Sequence, residues 1–250
     1  MRFKPNRLLR KFGYEVRRLP VRTPPAWPPP DPDEIRALEA ELDRFAADQP
    51  ADSALADAAA LRGYLSDKRL ALFNDLLRIC RHHGIDFAGR SVADVGSGTG
   101  YLLRLVSQAA PESRLTGYDT FADMMALACR LCPAASFQAR SLFEIDASFD
   151  IVFCTETLEH LEQPAAALEA LFGLVAPGGW LILTVPDGRR DQHGSGQRRE
   201  DGSGYWGHIH FWSPESWQLF LAGAIGARGE VSCGQCSTSE NYALIRKAAA

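Results

Sequence analysis

The chain has 250 residues, of which 46% are hydrophobic, and it carries a net charge of −4 at neutral pH. This length supports one substantial hydrophobic core, and the composition does not indicate a second domain of similar size. No apolar run reaches the ~18 residues that a membrane-spanning helix needs, and the first twenty residues lack the apolar centre of a secretory signal. We therefore expect a cytoplasmic protein with one main folded domain.

Positive charge is concentrated at the start of the chain. Residues 1–22 hold eight basic side chains and one acidic side chain, so this segment carries +7 and the remainder carries −11. Six prolines in residues 22–32 favour an extended polyproline spacer. Residues 1–30 therefore form a basic, proline-rich segment. We expect it to be either a disordered tail or a peripheral contact with an anionic membrane or another polyanion.

Two amphipathic helices are predicted within residues 31–89. Asp31 can cap the first helix and Pro32 suits its first position. Four apolar residues recur on one face of that helix, namely Ile35, Leu38, Leu42 and Phe45. The second helix is predicted over residues 66–83, and Gly84 ends it. We expect this helical extension to cover part of the mouth of a binding site.

Predicted strands and helices alternate through residues 90–250. The predicted strands are 91–95, 114–118, 135–139, 151–155, 180–185, 227–232 and 242–247. The predicted helices are 101–109, 121–131, 164–175 and 213–222. This alternation predicts an α/β domain with a doubly wound, mostly parallel sheet of seven strands. Ligands bind such sheets beyond the carboxyl ends of the strands.

A glycine-rich loop follows the first of these strands. Its pattern is G-x-G-x-G, formed by Gly96, Gly98 and Gly100, and a helix begins directly after it. Glycines allow tight turns and a close approach of the backbone to a ligand, and the helix start offers free amide donors. Asp94 lies inside the strand just before the loop. A carboxylate there would repel a pyrophosphate but would suit a ligand that carries an ammonium and a sulfonium.

A second acidic residue, Asp119, ends the second predicted strand. A carboxylate at this place can accept hydrogen bonds from two ribose hydroxyls. Together with the glycine loop, Asp119 therefore predicts a site for a nucleoside cofactor.

Four ordered motifs carry a family resemblance. They are Val92–Gly100, Gly117–Asp119, Ser148–Thr155 and Leu174–Leu183. In these motifs the chain resembles the class I S-adenosylmethionine-dependent methyltransferases, over roughly residues 90 to 190. The resemblance implies a Rossmann-like fold closed by an antiparallel hairpin. It also implies S-adenosyl-L-methionine as the cofactor and methyl transfer as the reaction.

The resemblance also implies the residues that contact the cofactor. The three glycines of the loop would lie against the methionine portion, Asp119 would hold the ribose, and Ser141 and Leu142 would lie beside the adenine. The full expected set is Asp94, Gly96, Ser97, Gly98, Gly100, Asp119, Thr120, Ser141, Leu142 and Thr155. Ser141 stands where these enzymes often place an acid, and an uncharged acceptor holds the adenine amino group less tightly. The other interpretation of Ser141 is an ordinary loop hydroxyl.

An E-x-x-E-H cluster follows the fourth predicted strand. If this turn is helical, Glu156, Glu159 and His160 share one face. The pattern is similar to that of ubiquinone-pathway O-methyltransferases and of small-RNA 2′-O-methyltransferases, in which it holds a metal ion. A fourth ligand is expected from His208. Such a set would suit magnesium or manganese.

The same cluster has two other interpretations. His160 can accept a proton from the methyl acceptor without a metal, with Glu159 and His208 as further catalytic candidates. Alternatively, the carboxylate and the imidazole support the loop and have no chemical role.

We expect the acceptor to be a hydroxyl of a small molecule or of a glycan intermediate. One alternative is an RNA 2′-hydroxyl, for which the basic segment would be the electrostatic footprint, although the acidic body argues against it. Another alternative is a cofactor-binding protein without catalytic activity. The intact glycines and Asp119 oppose this alternative, whereas Ser141 favours it.

Overall fold

The computed structural model describes residues 31–51, 53–190, 197–198 and 205–249. The basic segment 1–30, with its predicted membrane or polyanion contact, therefore lies outside the described residues. No helix among the described residues combines the length and the apolar character that a bilayer crossing requires.

The core of the protein is a single sheet of seven strands. These are β1 (Ser91–Val95), β2 (Arg114–Asp119), β3 (Ser136–Ala139), β4 (Phe149–Thr155), β5 (Val175–Val185), β6 (Gly229–Gln235) and β7 (Asn241–Lys247). Their order is β3-β2-β1-β4-β5-β7-β6. The first five strands are parallel, and the hairpin β6–β7 joins antiparallel to β5. The predicted seven-stranded, mostly parallel sheet is thereby confirmed.

Seven α-helices surround the sheet in the described part of the chain. They are α1 (Pro32–Ala47), α2 (Ala58–Arg62), α3 (Asp67–His82), α4 (Tyr101–Ala109), α5 (Ala122–Leu131), α6 (Pro164–Leu174) and α7 (Pro214–Ile225). Asp31 caps α1 by accepting from the Asp33 amide, as its position predicts. The sequence did not predict α2, because five residues are too few to show a helical period.

Five of the seven predicted strands start one to five residues away from the observed start, and two of these differences have a clear cause in the backbone. We predicted that β5 begins at residue 180, whereas pairing with β4 begins at Val175. Gly178 has a positive φ, and Gly179 lies so close to the Asp150 carbonyl that a Cβ would be 2.6 Å from it. The two glycines therefore form an irregular step within the strand, whereas the prediction left them outside it. The start of β6 is displaced from residue 227 because Gly226–Arg228 form a 3₁₀ turn.

Both faces of the sheet are covered by hydrophobic cores. Along β4, Ile151 and Phe153 face a core that includes α1, α3, α4 and α5. Val152 and Cys154 face a second core, which includes α6 and α7. This alternation along one strand follows from the period of two in β-structure, and it explains why the strand is apolar throughout.

The helical extension is anchored to the far end of the sheet. Asp75 of α3 accepts a hydrogen bond from the Ser237 amide at 2.6 Å. Lys68 Nζ lies 2.8 Å from Glu240 Oε1, just before β7. These contacts, together with the first core, fix the start of α3 beside the carboxyl ends of the parallel strands.

Shortening Leu76 tests whether α3 is integral to the core. Leu76 is 0% exposed, so Leu76→Ala is expected to lower the free energy of unfolding by about 3 kcal/mol through lost burial and a cavity. Leu219→Ala, at a site that is 75% exposed, should change it by less than about 0.5 kcal/mol. Urea denaturation measures both. Equal effects of the two substitutions would show that α3 is not part of the cooperative unit.

Candidate functional site

A cleft of about 610 Å³ opens beyond the carboxyl ends of β1, β2 and β4. The loops that follow these strands and β3 line it, as the rule for doubly wound sheets predicts. Of the ten residues expected to contact the cofactor, nine line this cleft, and Gly100 does not. The helical extension contributes Tyr64, Arg69 and Phe73 to the opposite wall.

The glycine loop requires glycine for two different reasons. Gly96 has a φ of +78°, and a Cβ at this position would overlap the side chain of Thr157. At Gly98, with a φ of +49°, a Cβ would lie 3.2 Å from the Tyr64 ring. A Cβ at Gly100 would instead overlap the Phe137 ring behind the loop. The first two glycines leave room for Thr157 and Tyr64 at the cleft, whereas the third leaves room for the Phe137 ring of β3.

Asp119 bridges the loops that follow β1 and β2. Its Oδ2 accepts from the Gly98 amide at 3.1 Å, and its Oδ1 accepts from the Phe121 amide at 3.3 Å. Each carboxylate oxygen can accept more than one hydrogen bond. The carboxylate is therefore held in place at the cleft with acceptor capacity left for a ligand.

Asp94 is a buried carboxylate without a hydrogen-bonding partner at Oδ1 among the described residues. Its side chain lines the cleft although the residue is only 2% exposed. Burial, with a smaller effect from Asp119, raises the pKa of Asp94 to about 7. A ligand that carries positive charge would satisfy this oxygen and offset the cost of burying it. The site therefore fits the cationic methionine portion of S-adenosylmethionine.

The loop after β3 forms the other end of the cleft. Ser141 and Leu142 line it, together with Phe143, which is 63% exposed. The Ser141 side chain accepts from the Phe143 amide at 3.4 Å, and the Ser141 amide donates to Glu144 Oε2 at 3.1 Å. This capping box gives Ser141 a structural role, and its contact with adenine stays a prediction.

Tyr64 and Arg69 were not predicted as site residues. Tyr64 approaches Gly98, and the Arg69 guanidinium carbon lies 5.4 Å from the centroid of the Tyr64 ring. Arg69 forms no salt bridge within the described part of the chain. One sequence signal was present, because Lys68 and Arg69 occupy the first turn of α3, where the helix dipole disfavours positive charge.

Glu159, His160 and His208 come together at the edge of the cleft. Their ligand atoms all lie within 4.8 Å of one another. Glu159 Oε1 is 3.8 Å from His160 Nε2 and 4.0 Å from His208 Nε2. His160 Nδ1 donates to the Gly207 carbonyl at 2.8 Å, since a carbonyl oxygen only accepts. His160 Nε2 is therefore the nitrogen that carries the lone pair when the ring is neutral.

Glu156 does not belong to this group, because the helical turn assumed from the sequence does not include it. The turn is a 3₁₀ segment that spans only Leu158–His160. Glu156 has a φ of +50°, and its amide donates to the Thr184 carbonyl at 3.0 Å, which extends the pairing of β4 with β5. The expectation that Glu156 shares a face with Glu159 and His160 is therefore wrong.

His210 has a structural role, unlike its neighbour His208. Its Nε2 donates to the Leu161 carbonyl at 2.9 Å, and its ring stacks on Trp212 with centroids 5.3 Å apart. His208 lies beside His160, with ring centroids 4.7 Å apart, and its expected role as a fourth ligand stays a prediction.

Comparison with known proteins identifies the family. The sequence profile of the family described as "Methyltransferase domain" matches residues 34–224. The chain belongs to this methyltransferase family. The match includes the helical extension from its first helix onward, so the extension is part of the region that the family shares.

Individual relatives match over shorter stretches. A ubiquinone biosynthesis O-methyltransferase of Albidiferax ferrireducens is 35% identical over 114 residues, which are 42% of this chain and 44% of that protein. A trans-aconitate 2-methyltransferase of Rhodopseudomonas palustris is 31% identical over 100 residues, 39% of each chain. The matched regions thus span less than half the length of these relatives.

Solved structures share the fold. The complex of DhpI with SAH has a TM-score of 0.58 at 24% identity, and the match covers 84% of this chain and 97% of that one. The plantazolicin methyltransferase BpumL, in complex with an analogue and SAH, has a TM-score of 0.62 at 15% identity and covers 86% and 99% of the two chains. The fold is therefore that of the class I S-adenosylmethionine-dependent methyltransferases.

Gly96→Ala tests the requirement for glycine in the loop. The added methyl group meets Thr157 at a positive φ, so the loop must shift, and we expect the affinity for S-adenosylmethionine to fall at least tenfold. Gly173→Ala is the matched control, because Gly173 lies in α6 with open space around it and should retain full affinity. Isothermal titration calorimetry measures both. Unchanged affinity in Gly96→Ala would contradict the assigned role of the loop.

Asp94→Asn tests the buried carboxyl in the cofactor-free protein. A folded pKa of about 7 exceeds the unfolded value, so the wild-type protein loses stability as the pH rises from about 4 to above 7. The uncharged amide avoids this loss. We expect the free energy of unfolding of Asp94→Asn to be about 3 kcal/mol higher than that of the wild type at pH 8, and this difference should shrink towards pH 4. Urea denaturation at both pH values measures the difference. An equal difference at pH 4 and at pH 8 would refute the prediction.

Proposed function

We propose that the protein transfers a methyl group from S-adenosyl-L-methionine to a hydroxyl of a small molecule or of a glycan intermediate. The observation that carries this proposal is the buried Asp94 oxygen without a partner, which faces a glycine loop and Asp119 in one cleft. Membership of the methyltransferase family supports it. We also propose, from the sequence alone, that the protein is located in the cytoplasm.

The cleft offers a group for each part of the cofactor. Asp119 would accept from the ribose hydroxyls, and Ser141 and Leu142 would lie beside the adenine. Asp94 would offset the ammonium of the methionine portion, and Arg69 would pair with its carboxylate. Arg69 is suited to this pairing because it is half-buried at the cleft and forms no salt bridge within the described chain.

The protein has to position the acceptor, exclude water and remove a proton, because the sulfonium is already a strong electrophile. His160 lines the cleft, and its side chain is 43% exposed. With Nδ1 held by the Gly207 carbonyl, Nε2 can take the proton of the acceptor hydroxyl. Glu159, which is fully buried, has Oε1 3.8 Å from that same nitrogen and would stabilise the imidazolium that results.

A metal-assisted version of the same reaction is the second candidate. Glu159, His160 and His208 would hold a magnesium or manganese ion, since their ligand atoms lie close enough to surround one. An ion bound there would lower the pKa of the acceptor hydroxyl. Glu156 would not contribute to this set.

A small acceptor agrees with the names of the relatives, which refer to ubiquinone biosynthesis and to trans-aconitate. An RNA acceptor is less favoured, because the chain after residue 22, which holds the cleft, carries a net charge of −11. A protein without activity is also less favoured, because the glycine loop and Asp119 retain the geometry that holds a cofactor.

His160→Ala tests the proton acceptor. Loss of a general base is expected to reduce methyl transfer by about 10² to 10⁴-fold, while the affinity for the cofactor changes less than threefold. The assay measures transfer of tritium from labelled S-adenosylmethionine into the small-molecule fraction of a cell extract. His83→Ala, at the end of α3, is the control and should behave like wild type. Absence of transfer by the wild-type protein would contradict the proposed function, and label that becomes nuclease-sensitive would indicate RNA.

Metal content separates the two versions of the mechanism. If the metal version holds, the purified protein should contain about one manganese or magnesium ion per chain, and His208→Ala should lose it. Inductively coupled plasma mass spectrometry measures this directly. Full transfer after treatment with EDTA, with no ion detected, would leave His160 as the proton acceptor without a metal.

A further inference from the structure

Glu156 is a cleft residue to which the proposed reaction assigns no role. It follows β4 in the same loop as His160, and it lines the cleft. Its Oε1 is buried and makes no hydrogen bond among the described residues. Its φ of +50° is a conformation that costs a residue with a side chain about 1 kcal/mol or more, and such outliers cluster at functional sites.

Two further polar side chains beside Glu156 are also buried and incompletely satisfied. Thr184 of β5 is 0% exposed, and its side chain lies close enough to the Glu156 carboxyl to lower the pKa of that group, although its Oγ1 forms no hydrogen bond of ordinary length within the described part of the chain. Glu240 is 2% exposed, and its Oε2 likewise lacks a partner. Unmet buried acceptors destabilise a protein by about 1–3 kcal/mol each. Glu156 is the member of this group that lines the cleft, so a ligand in the cleft can supply the donor that its Oε1 lacks.

The charge around these oxygens indicates the type of donor. Lys68 already neutralises Glu240 through the 2.8 Å contact with its Oε1. Burial and the Glu240 carboxylate raise the pKa of Glu156 to about 7, against the opposing influence of Thr184, Arg69 and Lys68. Lys68 and Arg69 thus place positive charge beside the Glu156 carboxyl. A neutral hydroxyl donor therefore matches this group better than an ammonium does.

We propose that Glu156, positioned by Thr184 and Glu240, binds hydroxyl groups of a polyhydroxylated acceptor next to the hydroxyl that is methylated. Two neighbouring hydroxyls can reach the two oxygens of one carboxylate, which fixes the orientation of the acceptor as well as its position. This inference rests on the proposed methyl transfer and narrows its acceptor to polyols, sugars or aromatic diols.

Binding of matched probes to the complex with S-adenosylhomocysteine tests the inference. The diol probes are myo-inositol, methyl α-D-glucopyranoside and catechol. The comparison probes are cyclohexanol, phenol and cyclohexylammonium. Saturation-transfer NMR should show that at least one diol probe binds the wild-type complex more strongly than any comparison probe.

Variants of Glu156 test whether this residue binds the diol probe. Glu156→Gln should weaken binding of the diol at least tenfold, because a charge-assisted acceptor is lost, and Thr184→Val should weaken it severalfold. Glu162→Gln, an exposed glutamate in the same loop, is the matched control and should bind like wild type. If Glu156→Gln fails to fold in a thermal melt, Glu156→Asp replaces it and should retain part of the binding.

Three other results would overturn the inference. Preference for cyclohexylammonium would overturn the inference in favour of a cationic acceptor. Lack of binding by every diol probe, or equal binding by wild type and the Glu156 variants, would overturn it as well. Calorimetry of S-adenosylhomocysteine on the same samples identifies which proposal fails. No cofactor binding refutes the proposed function, whereas cofactor binding without diol binding refutes only the role of Glu156.

Discussion

The arrangement of the site depends on one unfavourable feature, the carboxyl of Asp94 buried at the end of the central strand β1. Burial of a carboxylate without a partner costs several kcal/mol, and the protein has no cation within the strand to offset it. The sheet order places β1 between β2 and β4, where the connections diverge to opposite sides and leave a crevice. A cationic ligand in that crevice pairs with Asp94. Relief of the burial penalty then contributes to the free energy of binding.

Other features of the cleft complement this buried carboxyl. Gly96 and Gly98 lack side chains where the ligand must approach the backbone, and Asp119 is held across the crevice by the Gly98 and Phe121 amides. The helical extension closes the opposite wall. Because Asp75 and Lys68 anchor α3 to the region around β7, Tyr64 and Arg69 are fixed above the glycine loop. The extension thereby forms the wall of the cleft that faces the glycine loop.

Much of the fold could be predicted because buried parallel strands are continuous apolar runs that glycine and proline interrupt. β1 and α4 match their predicted bounds to the residue. The start of β5 could not be predicted, because Gly178 and Gly179 give the same local signal for a turn as for an irregular strand. Only the pairing of β5 with Phe149 and Ile151 of β4 distinguishes the two.

In the site, too, motifs that are local in the sequence could be predicted, whereas contacts between distant segments could not. The glycine loop and Asp119 are local motifs, and the structure places them around the cleft. Tyr64 and Arg69 reach it only through the packing of the extension, about thirty residues before the loop. Glu156 was misplaced because one positive φ separates it from the turn that holds Glu159 and His160, and residue spacing carries no information on that angle.

Calorimetric titration of S-adenosylhomocysteine at pH 7, in buffers with different ionisation enthalpies, tests the central claim most directly. If the ligand ammonium settles beside Asp94, it lowers the pKa of that carboxyl, so binding of one ligand per chain should release protons, and Asp94→Asn should remove that release. Binding without proton release in the wild-type protein, or no detectable binding while a nicotinamide dinucleotide saturates the protein, would contradict the account.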